Sequence, residues 1–256
     1  MEYIEIIRSK DNSFFKKIKS YAQAKYRNQD KVLLAEGTKL FADALATLTM
    51  QRVVVSESYY DNNQDKLEEF DQRTLTIFDD RLFAQLSELK TDQGILGIFE
   101  QPTFDLDFAD TARLIVLEGV QDPSNVGAII RNAHCLGYEL VVLGKGCAHP
   151  FSPKVIRSSM GSVFHVPVIS LTSSDHMLQQ LQGLKDIGFS IVGTAAHGKE
   201  VVPAFNKLAL LIGSEGSGLS QQSLDMCDYI YRIKIQESAE SLNAAVASGI
   251  AMYLLK

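Results

Sequence analysis

The chain reads Leu-Ala-Leu-Leu-Ile-Gly-Ser-Glu-Gly-Ser-Gly from Leu208 to Gly218. A short apolar run that ends in glycine is typical of a strand buried on both faces, as in a parallel sheet. The three glycines allow backbone amides to approach a ligand closely. Their spacing matches neither G-x-G-x-x-G nor a P-loop, which disfavours a dinucleotide or nucleoside triphosphate site. A tight strand-to-helix turn without any ligand would use the same residues.

The whole second half of the chain alternates apolar strands with helices. This alternation predicts an α/β domain with a parallel sheet that is covered by helices on both faces. Ligands on such sheets bind beyond the carboxyl ends of the strands, so the polar loops there form the candidate site. The predicted strands are Leu114 to Leu117, Leu140 to Leu143, Val166 to Ile169, Ile191 to Thr194, Leu208 to Ile212 and Tyr231 to Ile235.

Two further polar loops follow strands of this predicted sheet. Residues 118–132 enter a helix, with Asn125 in its first turn and Arg131 six residues later. An arginine in an apolar helical run is costly unless it is paired with a carboxylate or has a function. Near the end, a helix rich in small residues follows a polar loop, and Ser238 or Ser241 is a natural cap for it. A structural arginine and a plain core helix are the alternatives.

The first hundred residues predict a smaller α/β unit that contains a basic amphipathic helix from Ser13 to Arg27. Between Arg8 and Lys39, nine basic and three acidic residues leave a charge of +6, whereas the whole chain carries −6. A basic segment on an acidic chain indicates contact with phosphates, and a solvated helix face explains it equally well. Residues 101–107 are typical of a linker, so the predicted domains are residues 1–106 and 107–256.

Composition limits the remaining possibilities. The 256 residues are 46% hydrophobic, as in an ordinary globular protein. No apolar run is long enough to span a bilayer, and the first residues lack the pattern of a secretory signal, which predicts a cytoplasmic protein. Three cysteines without a C-x-x-C pair disfavour disulfides and zinc. None of the five histidines has the spacing of metal ligands, so no metal is predicted.

The three polar loops, taken together and in this order, resemble the motifs of the SpoU (TrmH-like) RNA ribose methyltransferases of the SPOUT superfamily. These motifs are N-x-G-x-x-x-R, then G-x-E-G-x-G, then Ser-Leu-Asn before a small-residue helix. The chain departs from the family at Lys234, where a proline is usual. The matching positions are, motif by motif, Asn125, Gly127 and Arg131; Gly213, Glu215, Gly216 and Gly218; and Ser241, Leu242 and Asn243.

The resemblance implies a fold, a reaction and partners. It implies a deep trefoil knot in the C-terminal domain, an N-terminal domain similar to a ribosomal-protein RNA-binding fold, and a homodimer whose active site borrows residues across the interface. The implied reaction transfers the methyl group of S-adenosylmethionine to a ribose 2′-hydroxyl, with ribosomal RNA favoured over transfer RNA. A non-catalytic RNA-binding module and an enzyme that acts on a small nucleotide are the alternatives.

The resemblance also assigns roles to residues. Arg131 is implied to stabilise charge on the attacking 2′-oxygen, or to relay its proton, because a guanidinium is too basic to accept a proton easily. The residues implied to position Arg131 and the ribose are Asn125, Glu215, Ser241 and Asn243. The implied cofactor contacts are Thr194, Gly213, Gly216, Ile233 and Leu242. The predicted RNA contacts in the basic helix are Lys16, Lys17, Lys19 and Arg27.

Overall fold

The computed structural model describes residues 6–104, 108, 111–236 and 238–255. The chain divides into two compact units. The N-terminal unit comprises Met1–Pro102 with Phe151–Pro153, and the C-terminal unit comprises Thr103–Pro150 with Lys154–Lys256. The predicted boundary between residues 106 and 107 lies outside the described residues.

The N-terminal unit contains a mixed sheet of five strands within the described part of the chain. The strands are β1 (Ile6–Ile7), β2 (Val32–Glu36), β3 (Met50–Ser56), β4 (Leu75–Phe78) and β5 (Ile95–Glu100). The helices are α1 (Ser13–Ser20), α2 (Ala24–Asp30), α3 (Thr38–Thr47), α4 (Glu57–Asn62), α5 (Gln64–Leu67) and α6 (Asp80–Ala84). The strand order is β1-β4-β3-β5-β2, in which β4 runs parallel to β1 and β3, and β5 runs antiparallel to β2 and β3.

The predicted basic helix is wrong in its length, because the segment forms two helices. Nη1 of Arg27, in α2, donates hydrogen bonds to the carbonyl oxygens of Tyr21 and Ala22 at the end of α1. A cation is favourable at the carboxyl end of a helix, where carbonyl groups lack intrahelical partners. Arg27 is only 2% exposed. The guanidinium of Arg27 therefore serves the fold, and the RNA contact of Arg27 stays a prediction.

The C-terminal unit confirms the predicted α/β fold with a parallel sheet. Its strand order over the described residues is β11-β9-β10-β6-β7-β8, and every neighbouring pair is parallel. The strands are β6 (Arg113–Leu117), β7 (Leu140–Leu143), β8 (Val168–Ser170), β9 (Ser190–Lys199), β10 (Leu208–Ile212) and β11 (Tyr229–Tyr231). The α-helices are α7 (Pro123–Leu136), α8 (Pro153–Ser158), α9 (Ser174–Asp186), α10 (Gln221–Asp225) and α11 (Ala244–Leu254).

Strand β10 explains why its sequence is entirely apolar. It lies between β9 and β6, and each of its five residues is at most 2% exposed. A strand that is covered on both faces and paired on both edges has no position for a polar side chain. The glycine-rich loop therefore begins at the carboxyl end of a central strand, where parallel sheets bind ligands.

Two elements near the end of the chain differ from prediction. Strand β11 ends at Tyr231, and residues 232–235, predicted to continue the strand, have no regular secondary structure. Helix α11 is capped by Asn243, whose Oδ1 accepts hydrogen bonds from the backbone of Ala245 and Val246. The predicted serine caps are wrong, because asparagine is an equally good cap and lies directly before the first helical residue. None of the described helices is long and apolar enough to cross a membrane.

Candidate active site

A cavity lies beyond the carboxyl end of β10. Its walls come from the loop Gly213–Gly218, from the outer part of β9, and from the segment that joins β11 to α11. These are the carboxyl ends of three adjacent strands, which explains why stretches distant in sequence meet here. The predicted cofactor contacts that line the cavity are Thr194, Gly213, Ile233 and Leu242. Gly216 is not among the described lining residues, and Gly218 of the same loop lines the cavity.

The glycine loop folds back on itself immediately after β10. The backbone amide of Ser214 donates to the carbonyl oxygen of Gly218 at 3.3 Å, and the Gly218 amide donates to the Ser214 oxygen at 2.9 Å. A Cβ atom on Gly213 would lie 2.1 Å from the carbonyl carbon of Gly218. Only glycine fits at position 213 without moving the loop. Gly218 adopts φ +67°, a conformation that also favours glycine.

One residue from each of the three motifs joins a hydrogen-bonded cluster at the cavity. Nδ2 of Asn125, in the first turn of α7, donates to Oε1 of Glu215. Nδ2 of Asn243 donates to Oδ1 of Asn125 at 2.9 Å. Because Oδ1 of Asn243 also caps α11, the cluster is tied to the start of two helices. Glu215 lines the cavity, as does Ser241, another of the predicted residues.

Arg131 does not reach this cluster. It is exposed on α7, does not line the cavity, and its side chain forms no hydrogen bond or ion pair with any residue that the structure describes. Asn125 and Arg131 lie on the same helix, and both side chains were expected to reach one site. Within a single chain they do not, because only Asn125 joins the cluster. The alternative of a structural arginine bound to a carboxylate is not seen among the described residues either.

The lining of the cavity suits S-adenosylmethionine. Tyr231, Ile233 and Ile235 provide an apolar wall, which suits a flat ring such as adenine. Two carboxylates, those of Glu215 and Glu240, face the same cavity and suit a positively charged sulfonium. The resemblance did not point to Tyr231, Ile235 or Glu240. A signal for the first two is present, because they alternate with Ile233 at the spacing of one face of a strand.

The described part of the chain contains no cluster of metal ligands, and two of its three thiols are unsuited to nucleophilic chemistry. No group of three His, Cys, Asp or Glu side chains there could hold a metal ion. Burial raises the pKa of the Cys227 thiol to about 11 and also raises the pKa of Cys147. A raised pKa favours the protonated thiol, which is a poor nucleophile and metal ligand.

The predicted RNA contacts in α1 lie in different environments. Lys16 pairs with Asp11 at 2.9 Å, and Lys17 pairs with Asp30 at 3.0 Å. The ammonium of Lys19 lies 5.8 Å from the centre of the Phe15 ring. All three lysines are exposed, so the pairs are weak and their ammonium groups are accessible.

The fold and the site together define an α/β methyltransferase that uses S-adenosylmethionine. The family model described as the SpoU rRNA Methylase family matches residues 112–253, which is more than half of the chain. The chain therefore belongs to the SpoU rRNA Methylase family, and it is an S-adenosylmethionine-dependent RNA 2′-O-methyltransferase. A second model, described as the MRM3-like substrate binding domain, matches residues 12–97.

Individual relatives agree with this assignment. The chain is 30% identical over 251 residues to the 23S rRNA (guanosine(2553)-2′-O)-methyltransferase RlmP of Bacillus subtilis (strain 168), and the match covers 98% of both chains. It is 36% identical over 143 residues to a putative TrmH family tRNA/rRNA methyltransferase of Staphylococcus aureus (strain COL), covering 55% of this chain and 56% of the relative. The structure of an AdoMet-bound rRNA methyltransferase from Sinorhizobium meliloti superposes with a TM-score of 0.84 at 26% identity, covering 98% and 96%.

Proposed function

We propose that this enzyme methylates a ribose in 23S ribosomal RNA. The observation that carries the proposal is the extent of the match to the Bacillus subtilis enzyme, which includes the N-terminal unit as well as the C-terminal unit. The match to the Staphylococcus aureus TrmH-family protein, whose name includes tRNA, extends over 143 residues. A substrate-binding unit shared along its whole length favours a shared class of RNA, with transfer RNA as the second candidate.

The residues of the site have complementary roles in this proposal. S-adenosylmethionine supplies the methyl group as an electrophile. The chain must bind and orient the ribose and stabilise negative charge on its 2′-oxygen, since a ribose hydroxyl is a poor nucleophile at neutral pH. Arg131 provides the positive charge, held by the phosphate next to the target ribose. The cluster of Asn125, Glu215 and Asn243, with Ser241 beside it, positions the ribose and Arg131.

A second copy of the chain completes the site. Arg131 lies outside the cavity of its own chain, so it must act on the cavity of a partner if it is to reach the ribose. Helix α11, which packs against α7, exposes Val246 at 51% and Leu254 at 57%, and such apolar exposure suits a dimer interface. A trefoil knot in the C-terminal unit and a cytoplasmic location complete the proposal, both as the resemblance and the composition imply.

The RNA class is tested by mapping 2′-O-methyl groups in ribosomal and transfer RNA from cells with and without the gene. Loss of one site in 23S ribosomal RNA is the expected result. Loss of a site in transfer RNA alone would overturn the proposed substrate. If no site changes and the purified protein does not bind S-adenosylhomocysteine, the alternative of a non-catalytic RNA-binding module is favoured.

The shared site is tested by mixing two impaired variants, assayed at a concentration of S-adenosylmethionine well below KM so that weak cofactor binding lowers activity. Arg131→Ala retains the cofactor cavity, and Gly213→Ala retains Arg131. A mixed dimer then has one complete site if Arg131 acts across the interface, so co-expression should restore about a quarter of the wild-type activity. If Arg131 acts within its own chain, neither half of the mixed dimer is complete and activity stays absent.

A further inference from the structure

One wall of the cofactor cavity has no regular secondary structure. Strand β11 ends at Tyr231, and the residues that follow, including Ile233 and Ile235, face the cavity. Among the described residues, one backbone hydrogen bond ties this wall to the rest of the unit, from the Arg232 amide to the carbonyl oxygen of Lys199 at 2.8 Å. Side chains must therefore fix the position of the wall.

The carboxylate of Glu200 contacts two side chains of this wall. Glu200 directly follows β9, the neighbour of β11 in the sheet, and β9 also lines the cavity. Its Oε1 accepts a hydrogen bond from Nη2 of Arg232 at 2.6 Å, and its Oε2 lies 3.8 Å from Nζ of Lys234. Ile233 lies between the two residues that Glu200 contacts, so one carboxylate contacts the side chains on both sides of Ile233.

We propose that Glu200 is a positioning residue for S-adenosylmethionine. By holding Arg232 and Lys234, it keeps the side chains of Ile233 and Ile235 against the adenosine part of the cofactor. The inference rests on the cofactor binding in this cavity. Glu200 itself touches neither the cofactor nor the ribose, and its effect is on affinity rather than on the transfer step.

Removing the ion pairs of Glu200 should lower cofactor affinity by a small factor that depends on salt. The side chains of Glu200, Arg232 and Lys234 are 36%, 45% and 80% exposed. Exposed pairs contribute little to folding and are screened by salt. Removal of both pairs should therefore appear as a loss of ligand affinity of about threefold to tenfold, with an unchanged melting temperature.

The test is calorimetric titration of the full-length protein with two ligands, S-adenosylhomocysteine and 5′-methylthioadenosine, which lacks the amino-acid part. At low salt, Glu200→Gln should lower the affinity for both ligands by the same factor. In concentrated NaCl the loss of affinity should be smaller. In methylation assays KM for S-adenosylmethionine should rise while kcat stays constant.

Exchanging the charges with Glu200→Arg and Arg232→Glu should recover part of the affinity. Lys185→Gln is the matched control. It breaks the 2.8 Å ion pair between Lys185 and Asp228, and neither of these residues lines the cavity.

Two results would overturn the inference. The first is unchanged affinity of Glu200→Gln for both ligands. The second is a loss confined to S-adenosylhomocysteine, which would place the role of Glu200 at the amino-acid part of the cofactor. If the wild-type protein binds neither ligand, the use of this cavity for the cofactor is itself wrong, which is a different failure.

Discussion

In the C-terminal unit, residues from three distant stretches of sequence meet at one cavity, and three of them form a continuous hydrogen-bonded cluster. In the N-terminal unit, the predicted RNA-binding residues are close in sequence, yet they differ in environment. Lys16 and Lys17 are in ion pairs, and Arg27 is buried. The ends of parallel strands bring distant residues together at one place, whereas a run of like charges leaves its members in separate environments.

The physical reason lies in how each pattern constrains space. All strands of a parallel sheet have their carboxyl ends at the same end of the sheet, so the loops that follow neighbouring strands lie close together. A charged residue in a helix has no such constraint, and it can pair locally, cap a helix or face solvent. Substitutions in the C-terminal site should therefore affect activity strongly, and substitutions among the basic residues of the N-terminal unit should affect it weakly.

Arg131→Ala should lower kcat for RNA methylation by about 10²- to 10³-fold, because a positive charge next to the 2′-oxygen is removed. Affinity for S-adenosylhomocysteine should change less than about twofold, since Arg131 does not line the cavity of its own chain. Single-turnover kinetics and calorimetry measure the two effects. Arg131→Lys keeps the charge and should lose less activity. A variant that retains full turnover would remove Arg131 from the site.

Gly213→Ala should lower the affinity for S-adenosylhomocysteine by about 10- to 100-fold, because the added Cβ forces the loop to move at a cost of about 1–3 kcal/mol. Gly216→Ala is a matched control in the same loop, since a Cβ there meets nothing within 4 Å. We expect this control to bind normally. Equal losses in both variants would mean that side-chain bulk anywhere in the loop blocks the cofactor, and that the fit at Gly213 is not special.

Asn243→Ala and Asn243→Asp separate the two roles of Asn243. The alanine variant loses the cap of α11 and should unfold more easily by about 1 kcal/mol. The aspartate variant keeps an acceptor for the cap but cannot donate to Asn125. We expect both to lose about tenfold in kcat, and only the alanine variant to melt earlier. Normal turnover in the aspartate variant would show that the cluster is structural only.

Arg27→Met should destabilise the N-terminal unit by about 1–3 kcal/mol, because the carbonyl oxygens of Tyr21 and Ala22 lose their donor. Thermal unfolding measures this effect, and Lys19→Met, at an exposed position of α1, is the control. RNA affinity of the folded variant should match that of the wild type. A variant of normal stability that binds RNA poorly would instead support a phosphate contact for Arg27.

Replacing Lys16, Lys17 and Lys19 by Gln should weaken RNA binding only about twofold to fivefold, since two of the lysines already have carboxylate partners. The slope of log affinity against log salt should fall by about one for each phosphate that the variant no longer neutralises. Lys66→Gln, elsewhere in the same unit, is the control. An unchanged slope in the triple variant would show that α1 does not contact RNA.

Sequence patterns were sufficient to predict the parallel sheet, the strand β10 and the polar loops that follow the strands, because a fully apolar run and its alternation with helices admit few other arrangements. The resemblance to the SpoU family, and not these patterns, implied Thr194, Gly213, Ile233 and Leu242 as cofactor contacts, and the fold groups the four residues around one cavity.

The remaining assignments required the three-dimensional arrangement of the chain. Asn243 rather than a serine caps α11, and Arg27 is buried under the end of α1. Glu200 meets Arg232 across 32 residues of sequence. Contacts of this kind depend on where two elements lie in space, and the local periodicity of a sequence carries no information about that distance. Charge, residue type and the family resemblance therefore gave the candidates, and packing decided which of them serve the fold and which line the cavity.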